Sequence, residues 1–329
     1  MKNTPKISVI VPFYKSANTI ERCVKSIFAQ KVDVMDVIFV DDRGNDGSFE
    51  KLTEILQKYP ERKDQVRIIR HEKNRGSAAA RQTGIENAVG EYTIQIDSDD
   101  YIDENMFSSM LDHAMATQSD IVICDFNHIY PTGTKHIHVN PKTNNIECLC
   151  QILKGEVHAS LCNKLIRLSL YRDNKIDFIE GVNMLEDLCV MCKLLYFARN
   201  ISYIPKPFYN YIIETNSLSN NISKKNIEDR LYVYKEIDSF FSRNKVDAPQ
   251  CIDAKEMFLI NVLSVAALDG IKYELALNFG NYKHLLPKID SCMSIPRINK
   301  IALKCRIRNT KFIVNVIFYI RSFYHLIKQ

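Results

Sequence analysis

The feature that most restricts the fold is a regular alternation of two hydrophobic patterns over residues 6–125. Short runs that are apolar throughout, as in a strand buried on both faces, alternate with stretches that repeat apolar residues at helical spacing. The predicted strands are Ile7–Val11, Val37–Val40, Val66–Arg70, Tyr92–Ile96 and Ile121–Cys124. The predicted helices run from Asn18 to about Gln30 and over Ser48–Tyr59, Gly76–Ala88 and Asp103–Thr117. This alternation predicts an α/β fold with a mostly parallel central sheet and helices on both faces.

Polar, small or acidic residues follow four of these strands. Ligands of open parallel sheets bind beyond the C-terminal ends of the strands, so the four loops should converge on one crevice. The loops are Pro12–Tyr14, Asp41–Ser48, His71–Gly76 and Asp97–Asp100. Because four consecutive loops agree, a shared ligand site is better supported than it would be by any single motif.

The fourth loop carries three carboxylates, Asp97, Asp99 and Asp100. Adjacent carboxylates at a strand end favour a hard divalent cation, and Mg²⁺ is usually held by one or two carboxylates together with substrate oxygens. For this loop alone, an acidic turn that caps the following helix is an equal alternative. When all four loops are considered together, Asp99 is assigned to the metal. Asp97 is assigned to the metal or to a ribose hydroxyl, and Asp100 to the start of the next segment.

The other loops offer groups that suit a nucleotide. Tyr14 can stack on a planar base, or it can be buried beneath its loop. Asp41 or Asp42 can accept a hydrogen bond from a base N–H, although the run Asp-Arg-Gly-Asn-Asp-Gly also favours turns. Gly76 opens a predicted helix whose first N–H groups can face a phosphate.

A transfer reaction needs positive charge near the phosphates and a base for the acceptor hydroxyl. Arg75 and Arg81 can supply the charge, and a solvated surface position is the alternative for each. Glu186 and Asp187 are the best candidates for the base, because they lie in an otherwise apolar helical segment at residues 184–198. Their alternative role is favourable placement near the positive end of that helix.

These residues carry a resemblance to family 2 glycosyltransferases of the GT-A fold. In the first half the similar segments are Ser8–Tyr14, Val40–Ser48, Asn74–Gly76 with Ala80-Arg81, and Ile96–Asp100. Further along they are Asn163–Leu165, Phe178–Gly181 followed by Glu186-Asp187, Tyr209–Tyr211 and Ser217–Ser219. The resemblance covers roughly residues 5–220. One departure is Arg43, which stands where the family usually has Gly.

The resemblance implies a metal-dependent, inverting hexosyltransferase that moves a sugar from a nucleoside diphosphate donor, with UDP favoured. The implied acceptor is a hydroxyl of a glycan or lipid-linked molecule in bacterial cell-surface polysaccharide biosynthesis. Mn²⁺ or Mg²⁺ would be bound by Asp99, and Asp187 would be the base with Glu186 beside it. The residues expected at the donor are Pro12, Tyr14, Asp41, Asp42, Asn74, Arg75, Gly76, Arg81, Asp97 and Ser98.

Other functions fit the chain less well. Nucleotidyltransferases on similar scaffolds usually have a basic, Gly-rich loop after the first strand, whereas residues 12–17 contain no Gly. A dinucleotide oxidoreductase would show G-x-G-x-x-G after a strand, and the chain has no such motif. A sugar-nucleotide binder without catalytic activity is disfavoured by the complete set of acids.

The pattern also predicts how the chain is divided. Residues 1–220 are expected to form the catalytic domain, with 1–100 as the nucleotide-sugar half and 101–220 as the acceptor half. Within the second half, residues 126–215 mix short strands with two helices. A polar boundary falls near residues 215–222, and 221–329 is expected to be a mainly helical region that ends in a basic amphipathic tail.

The chain has a net charge of +5, and its charges are unevenly distributed, because no acidic residue follows Asp290. Basic residues are interspersed with Ile, Leu and Phe over residues 297–328. This pattern indicates peripheral contact with an anionic membrane leaflet, and a helix packed on the rest of the protein is the alternative. Nucleic acid is disfavoured as a partner, since no recognised binding module accompanies the charge.

The expected location is cytoplasmic. The N-terminus shows no signal peptide pattern, and the apolar run Phe312–Ile320 is well short of the ~20 residues of a membrane span. The ten cysteines are therefore expected to be reduced. Cys189 and Cys192 have C-x-x-C spacing, but they lie in an apolar helical pattern that favours burial in the core over zinc binding.

Overall fold

The computed structural model describes residues 5–213, 223–273 and 277–310, with residues 312–314, 316 and 318 near the C-terminus. The chain divides into two compact units. One comprises Met1–Leu149 and Val157–Ser217, and the other Cys150–Glu156 and Leu218–Gln329. The predicted boundary at 215–222 and the Ser217–Ser219 segment lie outside the described residues.

The first unit is built on one sheet, which has nine strands among the described residues. They are β1 (Ile7–Phe13), β2 (Asp36–Asp41), β3 (Val66–Arg70), β4 (Tyr92–Gln95), β5 (Tyr101–Ile102), β6 (Ile121–Tyr130), β7 (Gly133–Ile137), β8 (Lys164–Arg167) and β9 (Ile201–Ile212). Their order is β3-β2-β1-β4-β8-β6-β9-β5, with β7 paired to β6. Neighbours are parallel from β3 to β4 and between β6 and β9, and antiparallel where β5, β7 and β8 pair. The predicted α/β class is confirmed.

Seven α-helices lie within residues 5–213, and the part of the fifth that begins at Cys150 belongs to the second unit. They are α1 (Ile20–Phe28), α2 (Ser48–Leu56), α3 (Ser77–Asn87), α4 (Met106–Thr117), α5 (Asn145–Lys154), α6 (Leu168–Asp173) and α7 (Glu186–Phe197). The prediction of two helices within residues 126–215 was wrong, because three lie there. The six residues of α6 make fewer than two helical turns, which is too short to produce a periodic hydrophobic signal.

The close packing of α3 on β1 decides where the site residues of α3 lie. Gly84 lies inside α3, and a Cβ added to it would lie 2.2 Å from Cγ2 of Ile10. Glycine is unfavourable within a helix by roughly 1 kcal/mol relative to alanine, so it is retained here for a close approach. This approach brings Arg81, one turn earlier in α3, against the end of the adjacent strand β4.

The second unit is mainly helical, as predicted. It contains α8 (Lys224–Arg243), α9 (Pro249–Leu268), α10 (Arg297–Ile307) and 3₁₀ segments at Asp269–Tyr273 and Phe279–Lys288. In α10, Leu303 and Ile307 belong to the buried core of this unit, whereas Ile298 and Ile301 are exposed. Most of the predicted basic tail beyond Thr310 lies outside the described residues.

The cysteines are buried, as the sequence pattern predicted for Cys189 and Cys192. Nine of the ten are buried, and Cys305 is half-buried. In the portion of the chain that the structure describes, no helix combines the length and apolarity needed to span a bilayer.

Candidate active site

The acid loop after β4 connects three parts of the first unit. The Oγ atoms of Ser98 and Ser16 are 2.7 Å apart, which joins this loop to the loop after β1. Asp99 is exposed, and Arg22 donates a hydrogen bond to its backbone carbonyl. The side chain of Asp97 is 28% exposed, and one of its oxygens accepts a hydrogen bond from Arg81 at 2.8 Å. Asp97 and Asp99 therefore lie at the open edge of the sheet, as predicted.

Asp100 has a different environment from the other two acids. It is buried, and it accepts hydrogen bonds from the hydroxyl of Tyr209 at 2.6 Å and from the backbone N–H of Ile212 at 2.7 Å. Burial, together with the negative charges of Asp97 and Asp99, raises the pKa of Asp100 to about 8. Asp100 thus links the acid loop to β9.

Arg81 is the centre of the site. Its guanidinium is buried and donates to Oε1 of Gln95 at 2.7 Å and to Oδ1 of Asp97 at 2.8 Å, and its Nε lies 3.6 Å from Oδ1 of Asp187. Burial disfavours the charged form, but the carboxylates of Asp97, Asp187 and Glu186 outweigh it and raise the pKa of Arg81 well above its ordinary value. Arg81 is therefore a buried cation shared by acids from distant parts of the sequence, and it does not occupy a solvated surface position.

Glu186 and Asp187 are the first two residues of α7, and both are partly buried. Ser77, the first residue of α3, donates a hydrogen bond to Oε1 of Glu186 at 3.1 Å. Burial and the charge of Asp187 raise the pKa of Glu186 to about 7, while Arg81 opposes this shift. Burial also raises the pKa of Asp187, against the lowering effect of Arg81. The structure thus brings both predicted base candidates to the same cation as Asp97.

The loop after β3 is held by Asp42. The buried Asp42 carboxylate accepts hydrogen bonds from the N–H groups of Arg75 and Gly76, both at 2.8 Å, and its Oδ1 lies 2.7 Å from Nδ1 of His71. An ionised carboxylate can accept about four hydrogen bonds, and these contacts occupy three of those positions. Gly76 has a φ of +90°, and a Cβ there would lie 2.4 Å from Oδ1 of Asn183. Only glycine fits this turn, which places the loop against the segment before α7.

The loop after β2 contains Arg43, which stands where the resembled family usually has glycine. Arg43 has a φ of +58°, in the left-handed region that glycine adopts more readily than arginine. Its Nε donates to the carbonyl of His71 at 2.8 Å, and its N–H donates to Oδ1 of Asp41 at 2.9 Å. The second oxygen of Asp41 lies 2.7 Å from Nε of Arg70. Arg43 therefore keeps the glycine-type turn and adds a side-chain bond to the neighbouring loop.

The remaining donor-site candidates lie at the surface of the same edge. Tyr14 is 44% exposed, so it is not buried beneath its loop. Pro12 is half-buried at the end of β1, opposite Val40 in β2, and Asn74 is exposed. Arg75 forms a bidentate pair with Glu180, with both N–O distances at 2.9 Å. This exposed pair joins the predicted donor loop to the predicted acceptor segment.

Sequence reasoning named no role for Lys164, the lysine of the N-K-L segment. It is fully buried, and its ammonium donates to the carbonyls of His158 and Ser160 at 3.0 and 2.6 Å. Burial lowers its pKa. The loop that Lys164 organises includes Leu161, whose backbone N–H lowers the pKa of Asp187 and partly offsets the effect of burial. The signals at this position were a lysine next to Asn163 within an apolar run and the resemblance of Asn163–Leu165 to a segment of the family.

The family assignment follows from sequence comparison. Residues 8–174 match the family described as "Glycosyl transferase family 2". EpsH of Bacillus subtilis (strain 168), named as a glycosyltransferase without a stated substrate, is 30% identical over 251 residues, which cover 73% of this chain and 70% of EpsH. The cholesterol galactosyltransferase of Borreliella burgdorferi is 27% identical over 332 residues, which cover 86% of this chain and 90% of that protein.

Solved structures agree in fold. Residues 1–349 of S. aureus TarS, in complex with UDP-GlcNAc, align with a TM-score of 0.63 at 21% identity and cover 95% of this chain and 88% of that chain. The mannosyltransferase PcManGT of Pyrobaculum calidifontis, in complex with GDP-Man and Mn²⁺, aligns with a TM-score of 0.53 at 14% identity and covers 97% of this chain and 88% of that chain. The predicted GT-A fold is confirmed, and with the sequence match over half of its length the chain belongs to glycosyltransferase family 2.

Proposed function

We propose that this protein is an inverting glycosyltransferase that moves a sugar from a UDP-linked donor to a hydroxyl of a glycan or lipid-linked acceptor in cell-surface polysaccharide biosynthesis. The observation that carries the proposal is the contact of one buried cation, Arg81, with Asp97 at the end of β4 and with Asp187 at the start of α7. A carboxylate suited to base catalysis is thereby held beside the proposed donor site. Inversion follows from a single displacement, in which the acceptor oxygen attacks from the face opposite the leaving diphosphate.

The donor would lie across the C-terminal ends of β1, β2 and β4. We propose that the planar base of the nucleotide lies beside Pro12 and the exposed Tyr14, with Asp41 and Asp42 beneath it. Since Asp42 already accepts three hydrogen bonds, its main contribution is to hold Arg75 and Gly76 in place. UDP is the proposed nucleotide because the family resemblance favours it, and TarS, which shares the fold, forms a complex with UDP-GlcNAc.

The acid loop would hold Mn²⁺ or Mg²⁺ through Asp99 and Asp97. The fit rests on the donor atoms, because carboxylate oxygens are the hard ligands that both ions prefer, and Asp99 is exposed at the sheet edge. Asp97 gives one oxygen to Arg81, so the cation would share this carboxylate with the guanidinium. When bound, the cation neutralises charge on the leaving diphosphate.

Asp187 is proposed as the base that takes the proton of the acceptor hydroxyl, with Glu186 next to it. The proximity of Arg81 favours the ionised form of Asp187 against the effect of burial. Glu186 has a pKa of about 7, so it is partly protonated near neutral pH. Only its ionised fraction can accept a proton from the acceptor hydroxyl.

Two adjacent variants test the assignment of the base. Asp187→Asn should retain UDP binding and lower the transfer rate by roughly 10²–10⁴-fold, the usual contribution of a positioned base. Glu186→Gln, one residue earlier in the same helix, is the matched control and should lose less. Hydrolysis of a panel of UDP- and GDP-sugars would first identify the donor. Near-normal turnover by Asp187→Asn with that donor would rule Asp187 out.

The metal assignment is tested separately, by nucleotide affinity. Asp99→Ala should abolish the increase in UDP affinity that Mn²⁺ produces, as measured by titration calorimetry with and without the ion. An unchanged Mn²⁺-dependent affinity in this variant would exclude Asp99 as a ligand. Because binding is measured without turnover, the result does not depend on which residue is the base.

We also propose that the C-terminal tail contacts an anionic membrane surface on the cytoplasmic side. In its described part, Ile301 is 51% exposed and Phe312 is 80% exposed, and Arg308, four positions before Phe312, is also exposed. Leu303 and Ile307, on the other face of α10, are buried in the core of the second unit. Removing the whole tail would therefore damage that core, so single exposed residues must be substituted instead.

A further inference from the structure

Three metal-ligating side chains meet on the β6–β7 hairpin, away in sequence from the acids of the proposed active site. Asp125 belongs to β6, His136 to β7, and His138 follows β7 directly. Nε2 of His136 lies 2.8 Å and Nδ1 of His138 lies 3.1 Å from the same atom, Oδ2 of Asp125. We propose that this triad binds a zinc ion, independently of the proposed glycosyltransferase activity.

The backbone brings these three residues together. His136 and His138 are two positions apart along an extended segment, so their side chains lie on one face. Phe126 pairs with Ile137, which places Asp125 opposite His138 and next to His136 across the hairpin. On its other side, the pairing of β6 with β9 shifts register on both sides of Asp125. Such irregularities redirect side chains and often lie next to functional sites.

The carboxylate is fixed as metal ligands usually are. Asp125 is fully buried, and its other oxygen, Oδ1, accepts hydrogen bonds from the hydroxyl of Tyr203 at 2.6 Å and the N–H of Val139 at 2.9 Å. These two donors leave Oδ2 directed at the histidines. Partners of this kind orient ligating carboxylates and are part of a metal site.

The histidines are arranged on the open side of the triad. Their ring centroids are 3.9 Å apart, and the side chains of His136 and His138 are 34% and 61% exposed. The buried carboxylate thus closes one side, while the exposed rings leave the other open to solvent. Three protein ligands with an open position for water form a common arrangement for zinc.

Distances and donor types both suit zinc. Tetrahedral ligands at about 2.1 Å from the ion lie about 3.4 Å from one another. The two nitrogens lie 2.8 and 3.1 Å from Oδ2, and all three ligand atoms lie within 4.8 Å of one another. Small side-chain rotations would therefore admit the ion. Two imidazoles and a carboxylate suit zinc, whereas the all-oxygen acid loop suits Mn²⁺ or Mg²⁺.

The test is zinc binding by the full-length protein, measured by competition with a chromophoric chelator under reducing conditions. We expect one tight zinc ion in the wild type that is lost in His136→Gln/His138→Gln. His284→Gln, which alters an exposed histidine of the second unit, should bind as the wild type does. Equal zinc binding by the wild type and the double variant would overturn the proposal and leave only hydrogen bonds between the histidines and Asp125.

A third variant separates metal binding from loss of structure. Tyr203→Phe removes one hydroxyl and no ligand, and it should weaken zinc binding by roughly 10–100-fold, as loss of such orienting partners does. Zinc should also raise the midpoint of thermal unfolding of the wild type and not that of His138→Gln. Because His138 is exposed, this substitution should leave the fold intact, so the missing shift would report the loss of a zinc ligand. A zinc-induced rise of equal size in both proteins would contradict the site.

Discussion

The role assigned to Arg81 makes a quantitative prediction about stability. Arg81→Gln removes the cation and leaves the carboxylates of Asp97, Asp187 and Glu186 without the charge that compensates them. Breaking a buried ion pair by removing one partner costs roughly 3–5 kcal/mol of unfolding free energy. The side chain of Arg81 is only 8% exposed, but those of Asp97 and Asp187 are 28% and 22% exposed, so water reduces the penalty. We therefore expect a loss of about 2–4 kcal/mol.

Arg75→Gln is the matched control, because it breaks an arginine–carboxylate pair of good geometry at the surface. The Arg75 and Glu180 side chains are 39% and 57% exposed, and such pairs contribute little to stability. Arg81→Lys keeps a positive charge but loses the planar fork that reaches Gln95 and Asp97 together, so its stability should lie between those of the wild type and Arg81→Gln.

Unfolding should be followed where it reports on the first unit. The chain has two compact units, so a single transition cannot be assumed for the whole protein. Hydrogen exchange of peptides that contain β4, measured by mass spectrometry across a denaturant series, isolates the unit that holds Arg81. A loss of stability in Arg81→Gln no greater than that in Arg75→Gln would refute the buried-cation argument.

Three further predictions concern Asp100, Arg43 and the tail. The folded-state pKa of Asp100 is about 8, against an ordinary value of 3.8, so the folded protein keeps a proton that the unfolded chain releases between these values. The stability linked to this proton is complete below pH 3.8 and is lost as pH rises to about 8. Relative to Asp100→Asn, the wild type should lose on the order of 1 kcal/mol per pH unit in denaturation experiments between pH 5 and 8, and parallel curves would contradict this. Arg43→Gly relieves a positive φ but loses the bond to His71, so its unfolding free energy should change by less than about 1 kcal/mol, and a loss above about 2 kcal/mol would show that the side chain is needed. Ile301→Ser/Phe312→Ser should reduce co-sedimentation with anionic liposomes, unlike Ile252→Ser at another exposed isoleucine, and equal partitioning of both variants would end the membrane proposal.

The strands that run through the core were predictable from local sequence. β1 and β2 are buried along nearly their whole length, so their apolar runs are continuous and easily recognised. Other elements carry no such signal. β5 has two residues, β7 is exposed over most of its length, and β8 pairs with strands distant in sequence. Their existence depends on partners that the rest of the fold brings to them.

The candidate site shows the same division. The four loops after β1 to β4 were located from the sequence, because the ends of parallel strands must share an edge. The contacts within the site were not. The sequence allowed Asp42 either a contact with a nucleotide base or a role in a turn, and the structure shows it accepting three hydrogen bonds from within the protein. The spacing of Asp125, His136 and His138 likewise gave no signal until the β6–β7 pairing placed them together.

The sequence by itself determined the class of fold, the edge of the sheet at which we propose the active site, and the acids available there. These properties follow from burial patterns and strand order, which local runs of residues encode directly. Only the tertiary structure decided which acids act together. Arg81 reaches Asp97 because Gly84 lets α3 lie close to β1, and it reaches Asp187 because α7 begins at the same edge. The pairing of charges depends on distances of a few ångströms between elements far apart in the chain, and no local pattern of residues specifies such distances.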